Sequence, residues 1–116
     1  MIKIGKPPYL ECSSRGDKRF SAFYAKVDGK SIEERYQAAK VFEGGLTGLS
    51  WRKAKGKKPI NHDEISILYK DLWREYLKNN PSLVRGLLQQ SGLSDMFGQE
   101  GHNCQAITLW EIKNEF

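Results

Sequence analysis

The segment from Ile65 to Leu77 constrains this chain more than any other. Ile65, Leu68, Tyr69, Leu72, Trp73, Tyr76 and Leu77 recur at i, i+3 and i+4 over three turns, a spacing that lays them along one stripe of an α-helix. A stripe this aromatic has to be covered. Packing inside the domain is the commoner use, and presenting part of the face to a partner protein is the other. Asn61 stands three residues before Glu64, a capping-box spacing that predicts the start of this helix, and Pro81 ends it.

The elements around that helix follow from local signals. Ser31 and Glu34 form a second capping box, so a helix is predicted from about Ile32 to Phe42, stopped by Gly44 and Gly45. Before it the chain reads as extended. "YLEC" and "RFSAFYAKV" carry the aromatic and β-branched residues of strands, "SSRGDKR" is a polar loop, and Asp28-Gly29 is a tight-turn signal. A short helix is expected from Ser50, and "SLVRGLLQQ" reads as another, closed by Gly92. "SDMFGQEGHN" reads as a loop. "CQAITLWEIKN" fits a helix or a strand. A helix beginning after Asn103 is preferred, because Ala106, Leu109, Trp110 and Lys113 keep helical spacing. The fold class expected is α+β, a helix-rich single domain with a small N-terminal sheet.

At 116 residues the chain is the size of one hydrophobic core, and no repeat or linker divides it. No apolar run approaches the roughly 18 residues a membrane span needs. "MIKIGKPPYLEC" lacks the apolar stretch of a secretory signal, so a cytoplasmic location is expected and a membrane partner is not. Cys12 and Cys104 form no CxxC pattern, and a reducing compartment argues against pairing them. His62 and His102 have no metal-ligand spacing, so no metal is expected. The net charge of +5 is concentrated: "WRKAKGKK" holds five of the nineteen basic residues, Arg52, Lys53, Lys55, Lys57 and Lys58, without an acid among them. Such a run is either a solvated loop or a footprint for phosphate on a nucleotide or nucleic acid.

The helix "EERYQAAK" raises a chemical question. At 100° per residue Glu33, Gln37 and Lys40 fall within about 60° of arc, bordering the apolar side that holds Ile32, Tyr36 and Ala39. Periodicity alone fits an ordinary ladder of surface pairs. A carboxylate and an amine at a partly desolvated edge also fit catalysis. Burial pushes a lysine towards its neutral, nucleophilic form while the carboxylate opposes that shift. A carboxylate stabilises an oxocarbenium-like transition state, and an amine can attack the anomeric carbon of an opened sugar. Spacing does not choose between these roles.

Two further stretches can complete such a site. "SDMFGQEGHN" places Asp95 as a polar handle, Phe97 as an apolar wall, and Gly98 and Gly101 where backbone can approach a ligand. Asn103 is either a ligand contact or the cap of the last helix. Trp51, beside its basic neighbours, can stack on a base while the charges hold phosphate, or can be a core residue.

Read together, these stretches resemble the NADAR (YbiA-like) family of small N-glycosidases that act on ribosides related to NAD and ADP-ribose. "FSAF" at Phe20, Ser21, Ala22 and Phe23 stands where the family has phenylalanine-serine-asparagine-phenylalanine, with Ala22 in place of asparagine. "VDGKSIEERYQAAK" matches the turn and helix, putting the family's glutamate on Glu33, glutamine on Gln37 and lysine on Lys40. "WRKAKGKK" is a looser match to the basic segment. "SDMFGQEGHN" matches the aspartate loop through Asp95, Gly98, Gly101 and Asn103, with Phe97 where tryptophan is usual.

The resemblance implies hydrolysis of an N-glycosidic bond in an ADP-ribosylated or nucleotide-like riboside, for example ADP-ribosylated guanine, free or in nucleic acid. It implies Lys40 as the attacking or charge-stabilising amine, Glu33 as its tuner or proton carrier, and Asp95 as a base or ribose ligand. Gln37, Tyr36, Phe20, Ser21, Trp51, Lys53, Lys55, Phe97, Gly98 and Asn103 would bind substrate. It requires no metal or cofactor. The other reading of the residues is a non-catalytic module that binds nucleotide or nucleic acid through Trp51 to Lys58.

Overall fold

A computed structural model describes residues 1–54, 56–99 and 103–116. Its spine is α3 (His62–Asn79), the helix read from the apolar stripe. Trp73 is fully buried at its centre, with Ile65, Tyr69, Leu72, Tyr76 and Leu77 along the same face and Leu68 packed at its edge. Each aliphatic side chain buried in this way contributes about 1.5–3 kcal/mol. The short α1 (Ile32–Ala39) crosses one side of α3, α4 (Pro81–Leu88) turns back from its end, and α5 (Gln105–Lys113) packs along it. Pro81 sits in the first turn of α4, where its missing N–H costs nothing, so it ends one helix and starts the next.

The sheet is not purely N-terminal. Strands β1 (Ile2–Gly5) and β2 (Tyr9–Glu11) flank β5 (Gly92–Asp95), which runs antiparallel to the first and parallel to the second. The residues of β5 lie inside the stretch expected to be loop and turn. All four are buried, and Gly92 is required there because a side chain would strike the Lys6 carbonyl and the Tyr9 ring. A two-stranded hairpin, β3 (Lys26–Val27) and β4 (Lys30–Ser31), turns at Asp28-Gly29 with φ of 50° and 83°. That is the tight turn the dipeptide predicted. The architecture is α+β, as expected.

Three local expectations need correction. "RFSAFY" is not a strand. Asp17 caps a 3-10 turn at Lys18–Phe20, and the Ser21 carbonyl then accepts the N–H groups of Tyr24 and Ala25. Its backbone groups are taken up by these turns and, at Ala22, by Gln105 and the Glu33 N–H, so the segment pairs with no strand. Second, the Ser31 cap forms as predicted, with Oγ accepting the Glu34 N–H at 3.0 Å, but α1 stops at Ala39. Lys40 is extended (φ −63°, ψ 132°), so the helix ends short of the expected Phe42. Third, Asn61 does not cap α3 with its side chain. Its Oδ1 accepts the Val41 N–H at 2.9 Å and its Nδ2 donates to the Ala39 carbonyl at 3.0 Å. Those two bonds straddle Lys40 and explain why the helix ends there. The short helix expected from Ser50 is present as α2 (Trp51–Ala54).

Candidate functional site

A cavity of about 690 Å³ opens between α1, the end of β5 and the start of α5. Glu33, Tyr36 and Gln37 line it from α1 and Lys40 from just past its end, with Asp95, Phe97, Gly98 and Asn103 on the opposite side. Eight of the expected site residues thus converge on one hollow.

Lys40 owes its place to the backbone around it. Its N–H bonds to the Gln37 carbonyl, its own carbonyl accepts the Thr47 hydroxyl at 3.0 Å, and Asn61 grips the residues on either side. The residue is only 6% exposed, and its Nζ stands 5.2 Å from the centre of the Tyr36 ring. Burial holds the amine below its usual pKa, and the Glu33 carboxylate partly opposes that shift. Desolvation in the hollow favours the neutral amine, while the Tyr36 ring, like Glu33, favours the ammonium.

Gln37 and Glu33 order each other. Gln37 donates from Nε2 to Glu33 Oε1 at 2.7 Å. The carboxylate can only accept, so it fixes which end of the amide turns towards it. The Gln37 carbonyl oxygen is buried without a partner among the described residues. An unpaired buried acceptor destabilises a fold by roughly 1–3 kcal/mol, and a ligand donor can remove that penalty. Tyr36 meets Tyr69 edge to face at 4.9 Å and accepts a hydrogen bond from Asn103 Nδ2 at 2.9 Å. Burial raises the Tyr36 phenol above its normal pKa, so it stays neutral. Asn103 therefore serves the cavity wall; Cys104 holds the cap position of α5, and no side-chain bond is made there.

Asp95 is 4% exposed and has both oxygens engaged. Oδ1 accepts the Phe97 N–H at 3.0 Å; Oδ2 accepts Gln105 Nε2 at 3.2 Å and the Cys104 thiol at 3.5 Å. Burial, reinforced by Asp95, pushes the Cys104 thiol up to about 11, so it stays protonated as a donor. Gly98 is glycine because a Cβ there would come within 2.7 Å of Ile2 Cγ1 and 3.0 Å of Cys104 Sγ. Its role is to let the turn pass over the sheet edge, not to adopt an unusual φ.

Other expected residues fall elsewhere. Phe20 and Ser21 are fully buried, the ring in the core and the hydroxyl without a hydrogen-bond partner, and neither lines the cavity. The 3-10 turn rotates them inward and presents Phe23 and Tyr24 to the hollow instead. Lys53 is exposed and does not line the cavity, although Gly56 of the same basic segment does. Lys55, Gly101 and the side chain of Trp51 lie outside the described residues. Gln105 and Asn61, which position the site, were not expected. Gln105 leaves only an amide beside an apolar helical pattern; the capping-box spacing of Asn61 points to the start of α3 and not to the cavity. Among the described residues no group of His, Cys, Asp and Glu is arranged to hold a metal ion, and no helix is long and apolar enough to cross a membrane. Both cysteines are buried and free.

Compared with protein-family models and with curated protein sequences, the chain matches none.

Proposed function

We propose that this chain is an N-glycosidase of the NADAR (YbiA-like) kind, cleaving the bond between C1′ and nitrogen in an ADP-ribosylated or nucleotide-like riboside such as ADP-ribosylated guanine. The observation that carries this reading is the shared cavity: a sheltered amine, Lys40, with Glu33 and Gln37 beside it and Asp95 on the opposite wall. Lys40, in its neutral form, attacks C1′ as the base leaves with the electron pair of the C–N bond and takes up a proton. The amine then gives a proton to Glu33. The ring C1′–O4′ bond opens with its electron pair and a proton going to O4′, and a protonated imine links Lys40 to the ribosyl unit. Water then adds to the imine carbon and restores the free amine and the free sugar. Glu33 carries protons and stabilises positive charge on the sugar. The unpaired Gln37 carbonyl accepts a hydrogen bond from a sugar hydroxyl. Asp95, with its donors already in place, receives the other hydroxyls.

The basic segment completes the reading. Arg52, Lys53, Lys57 and Lys58 are exposed, and Gly56 between them lines the cavity. Phosphates of a substrate whose ribose enters the hollow would lie among these cations.

The test is incubation with ADP-ribosylated guanosine or DNA, reading released ADP-ribose, with borohydride added to reduce the imine. Wild type is expected to release ADP-ribose and to gain the mass of a reduced adduct on Lys40. Full turnover by Lys40→Ala overturns the proposal. A module that only binds nucleotide through its basic segment would release nothing, and its salt-dependent affinity would be indifferent to Lys40.

A further inference from the structure

We infer that Gln105 is a positioning residue which, through the Ala22 peptide, sets the distance between Glu33 and Asp95 across the cavity. This inference rests on the glycosidase reading for its catalytic consequence and on geometry for the bridge itself. An unbroken run of hydrogen bonds joins the two carboxylate residues. The Glu33 N–H donates to the Ala22 carbonyl at 2.9 Å, the Ala22 N–H donates to Gln105 Oε1 at 2.7 Å, and Gln105 Nε2 donates to Asp95 Oδ2 at 3.2 Å. Each end is secured again, Glu33 Oε1 by Gln37 and Asp95 Oδ1 by the Phe97 N–H.

Only an amide can stand at position 105. The bridge needs a donor at one end and an acceptor at the other, 83 residues of sequence being spanned on the Ala22 side alone. Both neighbours dictate the same orientation: the carboxylate demands the NH₂ end, and the Ala22 N–H demands the carbonyl end. The contrast with Gln37 is informative. That amide is engaged at one end and unpaired at the other, which suits a ligand contact. Gln105 is 7% exposed with both ends engaged inside the protein, which suits a strut. Gln105 also lines the cavity, so the strut runs along the wall of the hollow. Near-attack geometry is sensitive to displacements of about 1 Å, enough to cost roughly a hundredfold in rate. A strut between the proton carrier and the ribose ligand therefore acts on kcat more than on KM.

Two variants separate the strut from plain packing. Gln105→Glu keeps the shape and the acceptor for Ala22 but sets a second carboxyl against Asp95 in place of the amide donor; Gln105→Leu loses both contacts. Hydrogen exchange at the Ala22 amide is read against the Ala25 amide, which bonds to Ser21 and does not involve Gln105. Ala22 is expected to exchange about tenfold faster in Gln105→Leu and to stay protected in Gln105→Glu. With ADP-ribosylated guanosine, kcat is expected to fall about tenfold to a hundredfold in both variants, with KM within about twofold. Wild-type kcat in either variant overturns the inference, as does a loss confined to KM. If wild type itself releases no ADP-ribose, the glycosidase reading fails and exchange alone judges the strut: the pattern above supports it, and equal Ala22 exchange in all three proteins overturns it.

Discussion

Two hollows of nearly equal size sit at opposite ends of the same pair of helices. The cavity, about 690 Å³, takes Tyr69 from α3 and Gln105 from the start of α5. An open groove of about 680 Å³ takes Leu77 from two turns further along α3 and Ile112 from the end of α5, with α4 as its other wall. Volume does not distinguish them; the state of their polar groups does. In the groove the floor is apolar and buried, while Arg74, Lys78, Arg85 and Glu115 have their charges in water at the rim. In the cavity Lys40, Gln37, Asp95 and Gln105 are all less than 8% exposed. Burying polar groups costs stability unless they are paired, so a hollow that gathers several of them is the physical candidate for a functional site. The groove shows what the same two helices do where no such demand exists.

The largest effect that would break this comparison is on the cavity side. Lys40→Met removes the amine but keeps an aliphatic stem, and turnover is expected to fall at least about a thousandfold with little change in thermal midpoint. Unaltered turnover would make the cavity as inert as the groove. Next comes Leu77→Ala on the groove floor, expected to cost about 2–5 kcal/mol in denaturant unfolding while kcat of the folded fraction stays at the wild-type value. A changed kcat there would erase the distinction.

Gln37→Met sharpens it. Removing an unpaired buried carbonyl is expected to leave stability within about 1 kcal/mol of wild type, or above it, while turnover drops about tenfold through the lost hydrogen bond to substrate. Paired losses in both would make Gln37 a packing residue. A smaller effect lies in pH dependence. The folded-state pKa of Lys40 is below the ordinary value of 10.5, so between the two values the unfolded chain binds more protons and stability rises with pH. Lys40→Met should flatten that alkaline rise in a series of denaturant titrations; an unchanged slope would remove the burial argument. Smallest is Arg74→Ala at the rim. Arg74 meets Glu115 and Asp71 at 2.8 Å, but in the open, so the change in thermal midpoint should be slight and vanish in high salt.

Several features of the cavity were legible residue by residue. The spacing of Glu33, Gln37 and Lys40 puts them on one edge, because short spacings report shared faces directly; the late loop, far along the chain, is joined to them by the resemblance and not by spacing. What was not legible is how each is held. The Phe20–Ala25 segment has the composition of a strand, yet the cap at Asp17 turns it and replaces Phe20 and Ser21 on the cavity wall with Phe23 and Tyr24. The pattern puts Lys40 within a helix; Asn61, twenty-one positions on, ends that helix at Ala39 and leaves the amine on extended backbone.

By itself the sequence determined the buried stripe of α3, the Ser31 cap and the Asp28-Gly29 turn. Each is written in residues a few positions apart, whose side chains meet as soon as the local backbone forms. Tertiary structure alone decided that "GLSD" is the central strand, that Gln105 meets Ala22, and that Phe20 faces inward. Those outcomes depend on partners tens of residues away, whose hydrogen bonds exist only once the chain has closed upon itself, and so no local pattern records them.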